Sequence, residues 1–102
     1  GVAYGVLYSA AKHGVLGITK SAAVEYGAKN IRVNAICPSF LETEIIDPLP
    51  NELLDFVTKH RVPLKRLGKP EEAADTIVWL LSDKASFVNG HALVMDGGMN
   101  AG

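Results

Sequence analysis

The chain has 102 residues, 48% of them hydrophobic, which is enough apolar material for one domain or part of one and excludes a disordered tail. Ten Lys and Arg against eleven Asp and Glu leave a formal charge of -1, too balanced for an electrostatic footprint on nucleic acid or an anionic membrane. The single cysteine, Cys37, allows no internal disulfide and reads as a small hydrophobe in a reduced, cytoplasmic protein, and no apolar run approaches the roughly 18 residues of a membrane span.

From about Tyr8 to Tyr26 the chain is rich in Ala, Lys, Leu and Glu and free of proline, which predicts a helix, with Gly27 where a helix usually stops. Residues 31–37, IRVNAIC, are β-branched and mostly apolar, and Pro38 closes them, the pattern of a strand buried in a parallel sheet. PSFLETEIIDPLP, with three prolines and mixed polarity, reads as a loop with at most one helical turn. Residues 51–60, NELLDFVTKH, put Leu53, Leu54 and Val57 on one face and charge on the other, a short amphipathic helix. RVPLKRLGKP is a second loop. Pro70, Glu71 and Glu72 then make a strong helix start, because proline needs no amide partner in the first turn and carboxylates there oppose the positive end of the helix dipole. Ala73, Ala74, Ile77, Val78, Leu80 and Leu81 continue it at helical spacing. NGHALVMDGG, residues 89–98, gives a turn, a strand over Ala92 to Met95 and a glycine-rich exit. Helix, strand, helix, helix, strand is half of a doubly wound, Rossmann-type α/β domain with a parallel sheet. The chain also opens on Gly1 rather than Met, directly before a dense motif, which suggests a piece of something longer.

That motif, YSAAK at 8–12, has two chemical readings. As Y-x-x-x-K it places Tyr8 and Lys12 about 40° apart on a helix, so both side chains can address one ligand. A phenol is ordinarily a poor proton shuttle at neutral pH, and a neighbouring ammonium or bound cationic ring favours its ionised form. Alone the pair is weak, since an aromatic at a helix start beside a solvated lysine looks the same. As S-x-x-K it offers Ser9 a lysine base, but such hydrolases also need S-D-N and K-T-G elements, and the chain has only SDK at 82–84. No Asp or Glu is spaced to orient His13 as a triad base, and three scattered histidines with one cysteine suggest no metal site. Gly1 and Gly5 do not form a phosphate loop either, because no strand precedes them.

Taken in order, YSAAKHGVLGITKSAAVEYG, IRVNAICPSFLET and RLGKPEEAADTIVWLLSDKASFVNGHALVMDGG resemble the C-terminal part of the classical short-chain dehydrogenases/reductases over essentially the whole chain. The resemblance implies an NAD(P)-dependent oxidoreductase that moves hydride between nicotinamide and a carbonyl or secondary alcohol, with residues 1–102 forming the C-terminal part of its single domain. The family's tyrosine is the general acid/base and Tyr8 is the matching residue. Its lysine holds the nicotinamide ribose hydroxyls and favours the phenolate, and Lys12 takes that place. Its P-G-x-x-x-T turn against the nicotinamide reads here as Pro38, Ser39, Phe40, Leu41, Glu42 and Thr43, with Ser39 where glycine is usual. Asn34 and the DGG at 96–98 also match family positions and read as structural. The glycine-rich cofactor loop, the ribose selector and the catalytic serine lie upstream of the tyrosine in the family, so the choice of NAD or NADP is not expressed here. An epimerase or dehydratase of the related extended group also uses Y-x-x-x-K but carries a larger C-terminal region. A non-catalytic oligomerisation fragment is the third alternative.

Three further expectations concern assembly and motion. Ala10, Gly14, Gly17 and Ser21 form a ridge of small side chains about 180° to 240° from Tyr8, where interior glycines cost roughly 1 kcal/mol each in helix propensity. The family pairs this helix with its symmetry mate, which implies a homodimer or homotetramer. Phe40 to about His60 holds more apolar residues than a surface loop requires and is expected to be a lid over an apolar-walled substrate pocket. In isolation residues 1–102 are expected neither to bind a nicotinamide dinucleotide tightly nor to reduce a carbonyl, and to leave apolar faces exposed.

Overall fold

The computed structural model of the chain describes residues 5–42 and 50–101. Thr43, and Ile45, Ile46 and Leu49 of the expected lid, lie outside the described residues. The chain divides into two compact units, one of Gly1–Ala35 with Ser82–Leu93 and the other of Ile36–Leu81 with Val94–Gly102.

The first unit is organised by helix α1, Val6–Tyr26, which begins two residues ahead of the expected start. Gly27 does not end it by turning left-handed, because it keeps right-handed angles (φ -58°, ψ -39°) and the chain tightens into a 3-10 turn over Gly27–Lys29. The reversal falls on Asn30 at φ 59°, whose N–H donates to the Gly27 carbonyl. Asparagine tolerates this conformation better than other side chains do.

The expected strand at 31–37 is corrected in the same way. Strand β1 covers Ala35–Pro38 only. Residues 32–34 are pinned by side chains instead: the Val33 N–H donates to Asn89 Oδ1 at 2.9 Å, and Asn34 gives Nδ2 to the Val88 carbonyl at 3.0 Å while its Oδ1 accepts the His91 N–H at 2.9 Å. Arg32 donates to the carbonyls of Val88 and Ser82. Asn89 also gives Nδ2 to the Ala23 carbonyl at the end of α1. The buried residues of this unit are small, namely Thr19, Ala23 and Ala85, whereas Val6, Leu7, Val15, Ile18 and Val24 of α1 are exposed.

Strand β2, Ala92–Met95, has the expected bounds and pairs with β1. Ala35 N–H donates to the His91 carbonyl and Ser39 N–H to that of Met95, so donor and acceptor advance together and the pair is parallel. Pro38 lies inside β1 rather than closing it. With Ala35 and Ser39 donating to β2, alternation turns the Pro38 nitrogen to the other side, where β2 needs no donor.

The second unit contains helices α2, Asn51–His60, and α3, Pro70–Leu81, both where the sequence predicts them. Pro70 occupies the first helical position of α3, and Glu72, in its first turn, accepts the Lys69 N–H on Oε1 at 2.9 Å. This is the reaching-back half of a capping box. Val62, Ala73 and Leu80 are its buried apolar residues.

Candidate active site

Tyr8 stands in the first turns of α1, 63% exposed, and Lys12 lies one turn further on. The Lys12 Nζ is 5.5 Å from the centre of the Tyr8 ring, a cation–π distance. Among the described residues neither the Tyr8 hydroxyl nor the Lys12 ammonium has a hydrogen-bond partner. A phenol and an ammonium are thus presented side by side with their polar groups uncommitted. That set of donors fits the ribose hydroxyls and reacting oxygen of a nicotinamide dinucleotide complex.

On the same helix the small ridge is bare. Ala10, Gly14, Gly17 and Ser21 are exposed, and a Cβ added at Gly14 or Gly17 would meet nothing within 4 Å.

The second unit holds Pro38, Ser39 and Phe40. Ser39 needs no left-handed backbone: among the described residues only Asn30 and Lys65 adopt positive φ without being glycine. Serine therefore replaces the family's glycine without backbone strain. Ser39 and Phe40 line a cavity of about 200 Å³ whose wall is completed by Leu41, Val62, Leu64, Met95 and Gly97, with Arg66, Gly68, Glu72 and Asp96. Most of these side chains are apolar. Thr43, the last residue of the expected turn, lies outside the described residues.

Two polar features frame the cavity. The Arg66 guanidinium meets the Glu72 carboxylate through two bonds, Nη1 to Oε1 at 2.6 Å and Nη2 to Oε2 at 2.9 Å. This bidentate pair, with the Lys69 N–H, holds the Glu72 carboxyl down at about 2, and Glu72 in turn raises the Arg66 guanidinium above its ordinary value. Asp96 caps the exit turn by accepting the N–H groups of Gly98 and Asn100, both at 2.9 Å. Burial pushes its carboxyl up, but those bonds more than offset this and leave it below the usual carboxylate range. Gly97 and Gly98 have φ of 61° and 94°, so the DGG stretch is a turn held by its own aspartate.

Tyr8 thus stands with Lys12 in one unit, and Ser39 with Phe40 in the other. Sequence reading missed Arg66, Met95 and the close approach of Gly68. Only Glu72 left a signal, as an acidic residue in a helix's first turn, and that signal does not reveal Arg66 as its partner.

Residues 1–100 match the family described as enoyl-(acyl carrier protein) reductase. The chain belongs to the short-chain dehydrogenase/reductase family. Within that family it is 46% identical over 92 residues to the 3-oxoacyl-[acyl-carrier-protein] reductase of Thermotoga maritima, covering 90% of this chain and 37% of that protein. It is 49% identical over 90 residues to a cyclohexanol dehydrogenase of an Acinetobacter species, covering 88% and 34%. A crystal structure of a candidate gluconate dehydrogenase from Agrobacterium tumefaciens superposes with a TM-score of 0.84 at 38% identity, over 90% of this chain and 37% of that one. The Rossmann-type α/β assignment of this short-chain dehydrogenase/reductase chain follows from that likeness and from the parallel strand pair. The chain spans less than two fifths of the length of these relatives.

Proposed function

We propose that these residues carry the proton-transfer end of an NAD(P)-dependent oxidoreductase acting on a small-molecule carbonyl or secondary alcohol, and form the C-terminal part of its single domain. The observation that carries this reading is the Tyr8–Lys12 pair, one helical turn apart, exposed and without other hydrogen-bond partners among the described residues. A bound nicotinamide dinucleotide, NAD or NADP, supplies the hydride acceptor or donor. Lys12 holds its ribose hydroxyls. In the reducing direction Tyr8 Oη gives its proton to the carbonyl oxygen, and in the oxidising direction it takes the proton of the alcohol. By the family's motif, Pro38, Ser39, Phe40 and Thr43 are the residues assigned to the nicotinamide.

The relatives' names support the substrate class, since one reduces a 3-oxoacyl group and another oxidises cyclohexanol. The apolar wall from Phe40 to Met95 favours a substrate with an apolar portion. The bare ridge on α1 suits close approach by a second copy, as in a homodimer or homotetramer, and the free Cys37 suits a reducing cytoplasm.

The test is kinetic. In the active enzyme Tyr8→Phe should lower turnover by about 10² to 10⁴ while leaving dinucleotide affinity nearly intact, since only the transferable proton is lost. Lys12→Ala should weaken dinucleotide binding as well, read by titrating cofactor fluorescence. Turnover of Tyr8→Phe within about tenfold of the parent would remove Tyr8 from the acid/base role.

A further inference from the structure

Glu72 grips the loop on both sides of Gly68. Its two oxygens accept the Arg66 guanidinium at 2.6 and 2.9 Å, and Oε1 also accepts the Lys69 N–H at 2.9 Å. Arg66 Nη1 donates in addition to the Leu67 carbonyl at 3.1 Å, which closes the loop on itself. Within this loop Gly68 makes the backbone hydrogen bonds to the stretch after β1. Its N–H donates to the Phe40 carbonyl at 2.9 Å, its carbonyl accepts the Glu42 N–H at 2.8 Å, and it forms a parallel bridge with Leu41. The approach is close enough that a Cβ at Gly68 would lie 2.7 Å from Leu41 Cδ2 and 3.6 Å from the Phe40 carbonyl oxygen.

We infer that Glu72 is a positioning residue for the turn that begins at Pro38: through Arg66 and Lys69 it fixes Gly68, whose two backbone hydrogen bonds set the path of Phe40–Glu42. The inference rests on the reading of Pro38–Thr43 as the nicotinamide turn. Its physical basis is that a short, half-buried turn makes few hydrogen bonds of its own to select one path, whereas a bidentate guanidinium–carboxylate pair has a fixed geometry that a helix start can anchor. Glu72 itself need touch neither cofactor nor substrate.

Two measurements on Glu72→Ala test this. In the dinucleotide-free enzyme the amides of Gly68 and Glu42 should exchange with solvent roughly tenfold faster, while those of β2 stay unchanged. The dissociation constant for the dinucleotide should rise about tenfold, a size typical of coupling through intermediate residues. Glu72→Gln keeps an acceptor for Lys69 and should show a smaller change in both, which also covers the case in which the alanine variant folds poorly. Unchanged exchange at Gly68 and Glu42 overturns the brace. Faster exchange with unchanged affinity overturns its role toward the cofactor. Ser39→Trp separates this from the underlying reading, because affinity unmoved by a bulky residue in the turn itself shows that the turn does not hold the dinucleotide, and both proposals then fall.

Discussion

In the first unit side chains hold backbone across long stretches of sequence, whereas in the second backbone and side chain meet directly at glycines. Asn34, Asn89 and Arg32 supply six hydrogen bonds that fix residues 23, 33, 82, 88 and 91, over buried residues no larger than Thr19. Around the cavity of the second unit, a Cβ at Gly97 would stand 2.7 Å from Val62 Cγ1, and one at Gly98 3.1 Å from Pro63 Cγ. The difference follows from what each unit presents. A pair of chemical side chains at i and i+4 needs only a straight helix, so polar pins at its far end suffice. A cavity needs walls in close contact, and these tolerate neither voids nor extra atoms.

Core truncation is where the contrast should show most. Leu80→Ala should cost about 2–5 kcal/mol in thermal or denaturant unfolding, as a buried leucine does. Gly97→Ala comes next, at about 2–4 kcal/mol, because a left-handed backbone and the Val62 contact both oppose the new methyl. In the first unit Asn89→Ala should cost about 1–3 kcal/mol by leaving the Val33 N–H and the Ala23 carbonyl without their partner, and Asn89→Asp, which keeps the acceptor, should recover part of it. If Asn89→Ala proved as costly as Leu80→Ala, the distinction between pinned and packed units would fail. The smallest effect concerns pH. Glu72 is depressed to about 2 from an ordinary 4.5, so its contribution is present above about pH 4.5 and is lost as pH falls toward 2. Glu72→Gln should flatten the acid limb of a plot of melting temperature against pH in that window, and an unchanged limb would mean that the pair is not formed in solution.

Local patterns were legible in the sequence and distant ones were not. The bounds of α2, α3 and β2 agree with the spacing of their apolar residues and with Pro70, because each signal lies within the element it describes. Tyr8 and Lys12 were legible as a pair because helical geometry alone brings them together. Residues 31–34 misled because Ile31 and Val33 have strand-like side chains, yet the Val33 amide goes to Asn89, 56 residues away. Gly27 misled because the left-handed turn it could have made falls three residues later, on Asn30. The cavity was invisible for a like reason: its wall combines residues near 40, 62–72 and 95–97, and no single stretch carries a pattern that announces the others.

The bond from Asn89 to the Ala23 carbonyl spans 66 residues, and it bears on how the chain is made. At synthesis rates of about 5–20 residues per second, Asn89 leaves the ribosome roughly 3–13 s after Ala23, and throughout that interval α1 has emerged without the residue that secures its last turn. Premature termination between Asn30 and Asn89 would release a nascent chain carrying Tyr8 and Lys12 on a helix that lacks this bond, with Leu7, Ile18 and Val24 open to chaperone or protease.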